Sequence, residues 1–417
     1  MIEKYYSGVI EQIYNRIGKE TRNIVMANYS NDFSIENLEV IRRYQSNEDN
    51  VFFAYSEFSY NTLVGAYEPF LDIICNMHRR FIGGSFDDFQ RECGVYYLHR
   101  QVLNSYYETG ECFREETVLL NEVAYEQRRM TKAIVDMLKR LSEVRPLMIV
   151  INRFQMASKS SIETIKYLID NPCTNIGIVL GVNVQVKGTD STVEVWDRIV
   201  ESLEDRSAIY YIGSAGQQNN HIRDTSDDEL YITTNFEQSI QEASNIMEFL
   251  DYEQAKRGCR IIEHKIKFED AWIDEKSLRR FYFIYARTSV LLGEMSKAIE
   301  LTNEYKALIP KSDSEHYFSI YYFMKGTCYM YQGKLEKAEG CAKKAYDYAL
   351  LADDELLEFK SELLSVMIKM SGWYNIFFCV QDIPVSDEFI EKIIKHGYRN
   401  HLAHIYIFTH MTIAGMW

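Results

Sequence analysis

Residues 146–161, PLMIVINRFQMASKSS, decide how this chain is read. The apolar run Leu147 to Ile151 predicts a short buried strand. After the turn FQMAS, Ser160 and Glu163 form a capping box in front of Ile162, Ile165, Leu168 and Ile169, which predicts the start of an amphipathic helix. A strand that runs through a turn into a capped helix is half of a parallel βα unit. The end of that strand carries Asn152 and Arg153.

Working outward, the runs Ile24 to Ala27, Val51 to Tyr55, Ile176 to Leu180 and Ala208 to Ile212 repeat the pattern, separated by helical segments. One of these, with Ile134, Met137, Leu138 and Leu141 spaced i, i+3, i+4, i+7, marks a single buried face. The five runs predict an α/β domain with a five-stranded, mostly parallel, doubly wound sheet over residues 1–212. Between the second and third strands, about Glu68 to Ser142, lies a helical insertion broken at Gly83-Gly84, with Ser85 as N-cap. The polar stretch from Gly213 to Asp228 then reads as a linker, bounded at 213–232.

From residue 233 to 417 the pattern is purely helical. LLGEMSKAIEL and MYQGKLEKAEG align at a spacing of 40 residues, Gly293 to Gly333. Tyr282, Ala286, Gly293, Ala298 and Pro310 mark the first copy, and Tyr322, Gly326, Tyr329, Gly333, Ala338 and Ala345 the second. Internal repetition at this period means stacked helix pairs. Gly326 and Ala338 are expected to let paired helices approach, Gly333 to make the turn, and Tyr322 and Tyr329 to fill the groove. A third copy is placed around Ser371-Gly372-Trp373 and a fourth from His401, with Gly415 near its turn. The final helix is apolar with nothing after it, so the sequence is expected to be a fragment or to be covered by a partner.

With 47% hydrophobic and 26% charged residues and five prolines, the composition is that of a globular, helix-rich protein rather than a disordered or fibrous one. No window reads as a membrane span or signal peptide, so the expected location is the cytoplasm. The net charge of −15 argues against generic binding of nucleic acid or anionic membrane. Eight singly scattered cysteines have no CxxC pairing and read as reduced core thiols. His396, His401, His404 and His410 lack a third ligand in register, so no metal is expected. The doublets Asp87-Asp88, Asp227-Asp228 and Asp353-Asp354 read as helix-start or loop carboxylates. The aromatic run HYFSIYYFMKGTCYMY, residues 316–331, reads as packing between helix pairs.

The strand at 147–153, the turn Ala66-Tyr-Glu-Pro-Phe70 and the strand ending at Leu180-Gly181 resemble the signal-transduction ATPases with numerous domains, the family of the LuxR-type, maltose-regulator-like transcription factors. The spacing after residue 233 resembles the tetratricopeptide repeat. The resemblance implies a P-loop-type domain followed by a helical arm. It also implies two carboxylates where Asn152 and Arg153 stand, one for magnesium and one for the attacking water. The phosphate loop G-x-x-x-x-G-K-[ST] falls on residues 28–35, where Asn28, Phe33, Ser34 and Ile35 replace its Gly, Gly, Lys and Ser/Thr.

Both halves of the nucleotide site therefore depart from the family. The expectation is a pseudo-ATPase without ATP or metal, whose helical repeats bind a protein partner or small effector, with self-association also possible. The resembled regulators read DNA through a C-terminal helix-turn-helix, which these residues do not include. The alternatives are an ATP- and magnesium-binding ATPase with an atypical phosphate site, and a stand-alone repeat scaffold.

Overall fold

The structure, a computed structural model, describes residues 2–29, 38–46, 50–59, 63–112, 114, 118, 120–183, 198–202, 209–211, 236–268, 273–375, 387–398, 401 and 403. The calls at Phe33, Ser34 and Ile35, in the 213–232 linker, at Asp227-Asp228 and at His404, His410 and Gly415 lie outside the described residues. The chain forms two compact units. One comprises Met1–Phe113 and Glu122–Ala271, the other Arg114–Asn121 and Trp272–Trp417.

In the first unit, β1 (Ile24–Tyr29), β2 (Phe52–Glu57), β3 (Leu147–Asn152), β4 (Ile176–Asn183) and β5 (Ile209–Tyr211) form one sheet in the order β2-β3-β4-β1-β5. Every neighbouring pair is parallel. All of β3 and β4 is buried, so both faces of the sheet centre need cover. Helices α1 (Ile2–Arg16) and α2 (Glu39–Ser46) supply one side. Tyr6, Val9, Ile10 and Ile13, at helical spacing, pack with Val25, Ala27, Tyr29, Met148, Val150 and Val179.

Gly177 lets α1 lie close. A β-carbon there would stand 2.8 Å from Ile17 Cδ1 and 2.9 Å from Ile13 Cγ2.

The insertion between β2 and β3 holds α3 (Phe70–Met77), α4 (Phe86–Glu92), α5 (Tyr97–Thr109) and α6 (Val123–Val144). Gly83 and Gly84 break it in left-handed backbone, at φ 68° and 73°, and the Ser85 hydroxyl caps α4 by accepting from Asp88 N–H at 3.2 Å. The crossover from β3 to β4 is α7 (Lys159–Asp170). Its N-cap is Ser158, not the expected Ser160: the Ser158 backbone is extended and its hydroxyl accepts from Ser161 N–H. Ser160 is used instead for long-range bonds. Its hydroxyl accepts from Tyr67 N–H at 3.0 Å and its own N–H donates to Asp251 Oδ2 at 2.9 Å.

Those bonds move a boundary. Helices α8 (Phe236–Glu248) and α9 (Tyr252–Phe268) look like repeat helices in sequence, yet they pack with the sheet-bearing unit, which runs to Ala271. Phe249 sets its ring edge against Tyr67 and Tyr106, and Gln254 Nε2 donates to the Val64 carbonyl at 3.0 Å. At Gly258 a β-carbon would come within 2.7 Å of Leu63 Cδ2. Amphipathic periodicity shows that a helix has a buried face and cannot show what that face meets.

The second unit carries α10 (Glu275–Leu291), α11 (Met295–Ala307), α12 (Ser314–Tyr331), α13 (Leu335–Leu351), α14 (Glu355–Asn375) and α15 (Asp387–Lys395). The turns between α10 and α11 and between α12 and α13 pass through Gly293 and Gly333 at φ 77° and 70°, a region L side chains rarely adopt. Gly326 is a true close approach: a β-carbon would lie 3.0 Å from Leu364 Cδ2, 3.2 Å from Cys341 Cβ and 3.4 Å from the Ala338 carbonyl. The expected third turn at Ser371-Gly372-Trp373 is instead inside α14. Phe359, Leu363, Val366 and Met370 hold that helix against Phe389, Ile393 and Tyr398, so one glycine, costing about 1 kcal/mol, does not end it. The turn lies earlier, at 352–354, with Asp354 Oδ1 accepting from Leu357 N–H at 3.0 Å to cap α14.

Two outcomes are expected. Gly177→Ala overpacks α1 against β4 and lowers stability by about 1–3 kcal/mol, read from a urea midpoint. Asp251 is fully buried, and desolvation raises its carboxyl above the usual range despite the bonds from Ser160 and Gln254. Between the unfolded value of about 4 and the raised folded one, the native state holds the extra proton, so this group's contribution falls as pH rises. Stability curves of wild type and Asp251→Asn should therefore diverge from about pH 4 upward, with the variant gaining relative to wild type, and parallel curves would contradict the assignment.

Candidate functional site

The chain passes from β1 to the far edge at β2, returns through β3 and β4 to lie beside β1, then crosses to β5 on the other side. The direction of winding reverses between β1 and β4. In open parallel sheets the carboxyl ends of strands at such a reversal form the crevice where ligands bind. Here those ends carry Asn28 and Tyr29 on β1, Val182 and Asn183 on β4, and Asn152 on the neighbouring β3.

Register places Tyr29, Val179 and Val150 on one face of the sheet, with Ala27 paired to Gly181. Small residues on that face leave room for a side chain to lie across β4. The Tyr29 hydroxyl reaches over it and donates to Asn152 Oδ1 at 2.9 Å. Neighbouring strands are about 4.8 Å apart, so this one bond spans roughly two strand spacings. Tyr29 and Asn152 are 1% and 0% exposed, which closes this part of the crevice.

Arg153, the second position of the expected acidic pair, has left-handed backbone at φ 54°, ψ 41°. Its guanidinium pairs with Glu57 Oε1 at 2.9 Å, with both side chains less than one-fifth exposed. The other Glu57 oxygen takes the Tyr55 hydroxyl. One carboxylate and one guanidinium thus offset each other at the edge of the crevice.

Gln155, in the short turn Phe154–Met156, accepts from Asn183 N–H at 3.2 Å and so ties the ends of β3 and β4 together. Asn28, at the first glycine position of the expected phosphate loop, is 9% exposed. Its Oδ1 and the Nε2 of Gln155 are buried without a hydrogen-bond partner. Among the described residues the crevice contains carboxamides, a phenol and an ion pair.

Sequence reading singled out Asn28, Asn152 and Arg153 but missed Tyr29, Glu57 and Gln155. Each of those three is ordinary where it stands, two at strand ends and one in a turn. Pairing them requires the register of strands far apart in the chain.

The repeat-marking residues divide by role. Ala286, Ala298, Ala338 and Ala345 are at most 1% exposed and line helix contacts. Tyr322 stacks on Tyr348 at 5.7 Å with rings 8° apart, while Tyr329 joins the cluster of Ala338, Ala342 and Leu364. The Tyr282 ring lies 5.2 Å from Phe281. Of the C-terminal histidines, His396 stacks on Phe359 at 4.7 Å and His401 lies 5.4 Å from Tyr398. Among the described residues no helix is long and apolar enough to cross a membrane.

Comparison with known proteins finds no family model that matches the chain and no match among curated proteins.

Removing the Tyr29 hydroxyl tests the network. Tyr29→Phe should lower stability by about 1 kcal/mol, the net worth of one buried hydrogen bond. An unchanged denaturation midpoint would show that the bond does not close the crevice.

Proposed function

We propose that the protein is a non-catalytic relative of the signal-transduction ATPases, in which the sheet-bearing unit is a rigid platform and the helical unit binds a protein partner or small effector. The reading rests on the Tyr29–Asn152 bond. Phosphoryl-transfer sites need carboxylate lone pairs open to magnesium and water. At this strand end the acceptor is an uncharged carboxamide, and a tyrosine from β1 already occupies it. Arg153 places a cation where the second carboxylate would stand, and Glu57 neutralises it. At residue 28 a buried side chain stands where the phosphate loop would begin with glycine.

The parallel sheet, with a winding reversal beside β1, is a suitable scaffold for such a platform. Glycine turns 40 residues apart, a close approach at Gly326 and alanine-lined contacts support the tetratricopeptide-like reading of the arm. Such arrays present extended surfaces between successive helix pairs. The acidic net charge of −15 makes a protein or neutral effector a better partner than a polyanion.

Calorimetric titration of the full chain with ATP and magnesium tests the platform half. No heat of binding is expected at low micromolar concentration, and saturable binding in that range would overturn the reading.

A further inference from the structure

Between α3 and α4 the chain makes a π-turn, His78–Ile82. Such turns are rare and occur frequently at functional sites. His78 opens this one and is 0% exposed. Its ring meets Phe86 and Phe89 of α4, at 5.0 and 5.1 Å between centroids, and Tyr107 of α5 at 5.4 Å. Nδ1 lies 3.1 Å from the Tyr107 hydroxyl, while Nε2 is buried without a hydrogen-bond partner.

These surroundings suit only the neutral ring. A neutral imidazole carries one N–H and an imidazolium carries two, each needing an acceptor. The Tyr107 hydroxyl can serve one of them. The other would be a charged N–H buried among phenyl rings, which is costly. Carboxylates on the neighbouring helices are engaged elsewhere. Asp72 of α3 takes the Tyr106 hydroxyl at 3.2 Å, Asp87 of α4 pairs with Arg91 and Arg100, and Asp88 faces Arg91 at 3.7 Å. The next residue of the turn, Arg79, adds a positive charge, its guanidinium 4.4 Å from the Tyr107 ring. Burial first, and Arg79 second, hold the His78 imidazole below its usual range.

We propose that His78 is a proton-operated latch: near neutral pH it seats α4 on the π-turn, and in mild acid its second proton releases α4 and uncovers Phe86 and Phe89. Those two rings are 5% and 4% exposed in the closed form. Asp87 keeps α4 tethered to α5, accepting from Arg100 at 3.1 Å and from Asn104 at 3.0 Å, so the release is a local opening. The folded state holds the proton less tightly than the unfolded one, whose value is about 6.5. The latch is therefore complete above that pH and is lost as pH falls through the lower folded value.

The test compares the full-length wild type with His78→Asn, whose amide can meet Tyr107 but takes up no proton. Amide hydrogen exchange at pH 7.5 and 5.5 is read as protection factors. In wild type, protection over α4 should fall by up to about 10-fold, the effect of one proton over one pH unit below 6.5, while β3 and β4 keep theirs. In His78→Asn protection over α4 should not change. A second buried histidine, His99 of α5, stands 3.1 Å from Glu126 of α6 and is present in both proteins. An equal fall in the variant would therefore assign the effect elsewhere and overturn the latch, as would constant protection in wild type.

If His78→Asn does not fold, wild type alone decides. Exchange of the imidazole C2 hydrogen, followed by mass spectrometry of the peptide that carries His78, reports the titration of that ring. A midpoint below about 6.5 is expected, and one at or above it would overturn the proposal.

Discussion

Strands β3 and β4 leave no side chain in water, and that constraint organises the sheet-bearing unit. A parallel sheet buried on both faces needs helices on both, and α1 and α2 close one of them. Gly177 is the concession that lets α1 approach. At the carboxyl ends the same burial would strand polar side chains without partners, and the Tyr29–Asn152 bond is how two of them are satisfied. The bond that completes the core also crosses the carboxyl ends of β1, β4 and β3.

Ser160 shows how local and distant demands compete for one residue. Its spacing to Glu163 suits a capping box, but Ser158 caps α7. This frees Ser160 to bind Tyr67 and Asp251, which lie 93 and 91 residues away. The carboxylate at the start of α7 is thus supplied by the segment between α8 and α9. The bond from Ser160 N–H to Asp251 helps hold α8 and α9 to the unit that contains the sheet.

The helical unit follows a different logic. Its glycines and alanines act at short range, in turns and within helix pairs, and so leave a pattern of fixed spacing. Its least regular contact, Leu120 on the Val290–Cys328 cluster, comes from a segment more than 150 residues earlier in the chain than any helix of the unit. No periodic signal marks it.

Sequence alone determined the five strands, the helical insertion with its break at Gly83-Gly84, and the glycine turns at 293 and 333, because each depends on local periodicity or a single backbone angle. It also singled out Asn28, Asn152 and Arg153, which lie at the carboxyl ends of β1 and β3. Tertiary structure decided the rest: that Tyr29 and Glu57 complete the crevice, that α8 and α9 side with the sheet, that Gly372 continues a helix, and that Leu120 joins the arm. These are choices of partner between residues distant in the chain. Hydrophobic periodicity says which face is buried, and only the packed fold says against what.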